Sequence, residues 1–147
     1  MNEVQCRRTL FGVNPLPRIQ IKMIDKKVRE KLVEVAKKLY KTPDGRRGII
    51  YYADLVAECK LDLDLNNIGD RNRLSDILGE ISKHELDSTP PMPPISVLVV
   101  LKDIRPIMPA YGFFNYMDEL RVRKPKETDE QMRNRLMNWC YDYWSKQ

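Results

Sequence analysis

Histidine occurs once in this chain, at position 84, and that scarcity excludes more chemistry than any other feature. A Ser–His or Cys–His nucleophile pair would have to use His84, which falls late in a polar helical stretch with no nucleophile at a suggestive spacing. An ordinary surface histidine is the plainer reading. Cysteine is also scarce. Cys6, Cys59 and Cys140 are widely spaced and form no Cys-x-x-Cys pair, which argues against a zinc cluster and suits a reducing compartment. Only six glycines are present, and none belongs to a phosphate-cradling loop or a GxSxG turn; HExxH is absent too. The longest apolar run, Pro94 to Leu101, is far short of the ~20 residues that cross a bilayer. Met1 to Pro17 lacks an apolar stretch of signal-peptide length. These absences predict a cytoplasmic protein with no membrane segment, cofactor or metal, and with no complete catalytic motif.

What is present is charge, unevenly placed. The formal net charge is +5, which permits a polyanionic partner without requiring one. Lys22, Lys26, Lys27, Arg29, Lys31, Lys37, Lys38, Lys41, Arg46 and Arg47 load the first third of the chain. Asp54, Glu58, Asp62, Asp64, Asp70, Asp76 and Glu80 make the middle acidic, and Arg121, Arg123, Lys124 and Lys126 form a second basic cluster. Solvated faces account for many such runs; the asymmetry also fits opposite faces with different partners.

The 147 residues suit one domain. Residues 1–24 read as a Pro-broken arm ending in the alternation Ile19, Ile21, Met23, a short edge strand. Asp25 is positioned to cap a helix to about Tyr40, with Val28, Leu32, Val35, Ala36 and Leu39 on its apolar face. Thr42-Pro43-Asp44-Gly45 then turns the chain. A β-like Gly48–Tyr52 leads into a helix at 53–59, and Leu61 to Leu65 alternates as extended chain. A third helix spans about 70–84, entered through Asn66–Asp70; Gly79 inside it implies close packing at that point. The prolines of residues 88–94 make a stiff connector. Ile95 to Leu101 reads as a strand buried on both faces. After a loop over 102–110 and the Tyr111–Phe114 segment, a short helix spans 113–120. The last helix, in 127–147, opens with a capping box at Thr128 and Gln131, with Met132, Leu136, Trp139, Cys140 and Tyr143 as its apolar stripe. The fold class expected is α+β, mostly helical, with a winged-helix-like core over 25–126 and one buried strand or short sheet.

Helices at 53–59 and 70–84 followed by a strand match the layout of a winged helix, whose second helix presents its N-terminal residues to bases or phosphates. Arg71, Asn72 and Arg73 stand at that N-terminus, where the helix dipole and two guanidinium groups favour phosphate. An exposed, solvated first turn is the competing reading.

The order Ile49-Ile50-Tyr51-Tyr52-Ala53-Asp54-Leu55-Val56-Ala57, an Arg-bearing helix, Pro94-Ile95-Ser96-Val97-Leu98-Val99-Val100 and Ala110-Tyr111-Gly112-Phe113-Phe114 resembles the C-terminal domain of the O6-alkylguanine-DNA alkyltransferases and alkyltransferase-like proteins. The resemblance covers about half the chain. It implies that Tyr52 stands for the family's phosphate-contacting tyrosine and that Arg73, or Asn72 one position earlier, stands for its nucleotide-flipping arginine. The family's Pro-Cys-His-Arg is here Ile95-Ser96-Val97-Leu98, so the nucleophilic cysteine is replaced by Ser96 and its activating histidine by Val97. No base is left to deprotonate the serine, so alkyl transfer is not expected. Base flipping is not expected either, and the scaffold implied is non-catalytic.

Phosphate contacts are thus expected from Tyr52, Arg71, Asn72 and Arg73, and from basic residues such as Arg46, Arg47 and Lys102. The dense aromatics Tyr111, Phe113, Phe114 and Tyr116 can stack on a base or anchor a protein; filling a small core is the commoner use of such residues. Two functions remain. The leading one is nucleic-acid binding, to duplex DNA before RNA. The other is a protein-interaction module, favoured by Asp62, Asp64, Asp70 and Asp76 close to the basic helix start, where they repel phosphate.

Overall fold

The apolar run at 95–101, expected as a strand, is mostly a tight helical turn. In the computed structural model, which describes residues 18–147, Ile95–Leu98 form a 3-10 turn and only Val99–Val100 (β2) are strand. The cause lies in where the backbone amides go. Ile95 N–H donates to the Glu85 carboxylate at 3.1 Å, Ser96 N–H to Ser82 Oγ at 3.2 Å, and Val97 N–H to Pro94 O at 3.1 Å. With these partners supplied, a ladder is unnecessary. A 3-10 turn also points side chains in three directions, where a strand has two faces. All four of its residues are buried, packed by three helices: α1 (Arg18–Ala36), α3 (Ile68–Leu86) and α5 (Asp129–Ser145).

β2 pairs in parallel with β1 (Ile50–Tyr51), Ile50 opposite Val99 and Tyr51 opposite Val100. The described residues hold five α-helices, completed by α2 (Tyr52–Glu58) and α4 (Tyr111–Glu119), around this small sheet. The protein is α+β and mostly helical, as expected. One core cluster joins all five helices and the 3-10 turn; Ile49, Tyr51 and Val100 form a second small cluster.

Several boundaries differ from the sequence reading. α1 begins at Arg18, so the backbone carrying Ile19, Ile21 and Met23 is helical, and Asp25 lies inside the helix without capping it. A three-residue alternation is too short to outweigh an uninterrupted stretch free of proline and glycine from residue 18 to 42. Residues 1–17 of the expected arm lie outside the described residues. α1 ends at Ala36, where Lys38 turns left-handed (φ 61°), and Leu39 therefore faces solvent. The helix expected over 113–120 begins two residues earlier, so Tyr111–Phe114 are its first turn. In α5 the buried stripe is Met132, Leu136, Cys140 and Trp144, with Trp139 and Tyr143 half-buried at its edges.

Other features stand as expected. Asn67 caps α3 by accepting the Asp70 amide, and Thr128 and Gln131 complete the capping box of α5. Leu61, Leu63 and Leu65 line extended chain and pack on the core. A side chain at Gly79 would bring its Cβ to 3.3 Å from the Tyr116 ring. Among the described residues no helix is long and apolar enough to cross a membrane.

Candidate nucleic-acid interface

A groove of about 710 Å³ runs beside α3 and α4, and its walls come from four segments distant in sequence. Tyr52 opens α2, Arg71 ends the first turn of α3 and Asn72 begins its second, Ser96 comes from the 3-10 turn, and Ala110, Gly112, Phe113 and Tyr116 come from α4 and its N-cap.

Each position has a local cause. The Asn67 cap starts α3 at Ile68, two residues before the start expected, so Arg71 and Asn72 are exposed where its first turn passes into its second. The Tyr52 hydroxyl accepts the Ala110 amide at 3.0 Å, tying α2 to the start of α4 and leaving its own proton to donate. Burial pushes that phenol's pKa upward. Ser96 is 5% exposed, and its hydroxyl lies 2.7 Å from that of Ser82. Its neighbour is thus a second hydroxyl rather than a base, and Val97 is wholly buried. Neither residue activates the other as a nucleophile.

Behind Ser96 lies Glu85, fully buried. Burial raises its carboxyl to about 7, opposed by the Ile95 amide and by Arg29, 3.5 Å away. Arg29 in turn lies over Trp144, 5.4 Å from its ring centroid. Ser82 and Glu85 were not singled out from sequence. A usable signal existed, since they continue the apolar stripe of Leu74, Leu78 and Ile81 at helical spacing, where a polar residue is buried and needs a partner.

Of the residues expected to act together, the structure joins only some. Arg73 does not line the groove; its guanidinium lies 4.0 Å from the Asp70 carboxylate. Arg46, Arg47 and Lys102 are also elsewhere: Arg46 pairs with Asp44 at 3.7 Å, Arg47 donates to Lys38 O, and Lys102 sits 5.9 Å above the Tyr51 ring. Phe114 is 3% exposed and faces the core, so it is not a contact for a partner. Phe113 packs edge-on against it while bordering the groove, and Tyr111 is 73% exposed. Asp76, Glu80 and Glu119 also line the groove. Asp76 and Glu80 lie five and nine residues beyond Arg71, about 8 and 14 Å along the helix axis. The groove is therefore cationic near the start of α3 and acidic further along.

No protein-family model, curated protein or solved structure matches the chain.

Proposed function

We propose that this chain is a non-catalytic, winged-helix-like nucleic-acid-binding protein, with duplex DNA as its first candidate ligand and the cytoplasm as its place of action. The observation that carries this is the convergence of Tyr52, Arg71, Asn72, Ser96 and Phe113 on one groove. Those residues come from the four segments that resemble the alkyltransferase domain, and positions up to 61 apart in sequence meet at this one groove. A guanidinium at a helix N-terminus favours phosphate, and a groove walled by aromatic rings favours a flat ring system. A nucleotide combines both. The Ser96 hydroxyl is bonded to a second hydroxyl, that of Ser82, in place of a histidine, which supports binding without chemistry.

The test is fluorescence anisotropy of labelled duplex and single-stranded DNA at two salt concentrations. Replacing Arg71 and Arg73 together by alanine is expected to weaken binding by roughly 1–3 kcal/mol and to flatten its salt dependence. Unchanged affinity and slope would remove α3 from the interface.

Asp76, Glu80 and Glu119 support a second reading, a protein-interaction module. Ile68 (69% exposed) on the groove wall and Tyr111 (73% exposed) nearby would then serve as apolar anchors. Absence of DNA binding even at low salt would favour this reading.

A further inference from the structure

The basic residues outside the groove gather on a surface of their own. The antiparallel bridge between Lys41 and Arg47 brings the two ends of the turn at 42–45 together. Arg47 donates to the carbonyl of Lys38, and Lys38 Nζ lies 4.7 Å over the Tyr141 ring. Tyr141 in turn donates to Gly48 O at 2.6 Å, which holds this loop against α5. Tyr51 is the hub on the other side. Lys102 lies over its ring, and both Arg46 and Arg105 are close enough to act on its phenol. Lys38 thus lies at Tyr141 and Arg46, Lys102 and Arg105 at Tyr51, with Lys41 and Arg47 beside Lys38 on the first of two loops more than 50 residues apart in sequence.

Two acids belong to the same loops, Asp44 and Asp103. Asp44 is already engaged, accepting hydrogen bonds from Thr42 and Tyr51 with Arg46 beside it, and these hold its carboxyl below the usual range. The balance of the surface is strongly positive. None of its six cations lines the groove, because adjacent residues diverge: Tyr52 faces the groove while Tyr51 joins Ile49 and Val100 in the second cluster.

We propose that this basic face is a second nucleic-acid-binding surface, which takes the phosphate backbone of a segment other than the one at the groove. The inference rests on nucleic acid being the partner but uses none of the groove's residues. Three observations select a phosphate backbone. The cations are spread over an open surface, which suits a repeating anion better than a single small one. Half of them are arginines, whose forked guanidinium groups match phosphate oxygens. The exposed apolar residues there, Leu39 (67%) and Ile104 (45%), stand singly on different loops and make no continuous face for lying in a bilayer.

The experiment compares two variants of the full chain by anisotropy on duplex DNA across a salt series. One carries K38Q, R47Q, K102Q and R105Q; the other carries R71A and R73A. A further variant with K38R and K102R keeps the charge and controls for folding, as does the circular dichroism melt of each protein. The four-residue variant should lose at least tenfold in affinity, and its slope of log affinity against log salt should fall by up to about 3.6, each lost phosphate contact contributing about 0.9. The arginine-retaining control should bind as the parent does. Combined with R71A and R73A, the two losses should add. Unchanged slope in the correctly folded four-residue variant overturns the basic face, whatever the groove variant does. Loss in the four-residue variant with no effect of R71A and R73A leaves the basic face standing and removes the groove. Binding to vesicles of anionic phospholipid but not to DNA also overturns the proposal.

Discussion

Glu85 shows how one residue ties the stability of the protein to the geometry of its groove. Its carboxylate, wholly buried, holds the Ile95 amide that begins the 3-10 turn, and that turn carries Ser96 to the groove. Burial raises its carboxyl from 4.5 to about 7. A carboxyl whose pKa is higher folded than unfolded takes up a proton on folding, so stability is greatest below about 4.5 and falls until pH 7. The size of that fall is at most about 3 kcal/mol. Asp25, raised to about 6 by burial and by nearby Glu80, adds a smaller effect of the same sign. Glu127 opposes both: its hydrogen bonds with Arg135 hold it at about 2, and that contribution is lost as pH falls from 4.5 towards 2. Glu85→Gln keeps an acceptor for the Ile95 amide and removes the charge. Urea unfolding at pH 5 and pH 7.5 should show a clear drop for the parent and a much smaller one for E85Q. An equal drop in both would show that Glu85 does not govern this window.

At the scale of elements, the chain ends its helices and sets its strands with a few conformationally special residues. Lys38, Lys60 and Arg121 adopt positive φ just after α1, α2 and α4, each stopping its helix. Gly48 has the same task before β1, with φ 84°, and a Cβ there would lie 3.0 Å from the Tyr141 hydroxyl. Gly48→Ala therefore strains the backbone and pushes away the ring whose hydroxyl donates to Gly48 O. The expected loss is about 2 kcal/mol in denaturant unfolding, together with disorder of the basic loop at 38–47. A variant as stable as the parent would show that the loop adapts at no cost.

The whole molecule is arranged around the 3-10 turn at 95–98. Leu98 is fully buried there, and the turn touches α1, α3 and α5 together. Leu98→Ala is expected to cost 2–5 kcal/mol, because three helices cannot all collapse into the space it leaves. A cost below 1 kcal/mol would indicate that the centre repacks freely. The same arrangement separates the groove, with Tyr52, from the basic face, with Tyr51.

Periodicity, caps and breakers were sufficient to place most helices, because those signals are local. Asn67, Thr128 with Gln131, and the proline connector act on their immediate neighbours whatever surrounds them. Gly79 likewise announced close packing, though only the fold supplied Tyr116 as its neighbour. Composition also confines any His-based pair to His84. Tertiary structure decided the rest. Ile95 to Leu98 read as strand because apolar β-branched residues favour that state locally, yet Ser82 and Glu85, fourteen and ten residues from the amides they accept, took up groups a strand would have paired. The candidate site was legible as scattered residues, and their grouping was not. Arg71 and Asn72 share a groove with Tyr52, while Arg46, Arg47 and Lys102 were placed elsewhere. Which cations share a surface depends on how the small sheet and the turns around it route the chain, and charge counted along a sequence carries no record of that path.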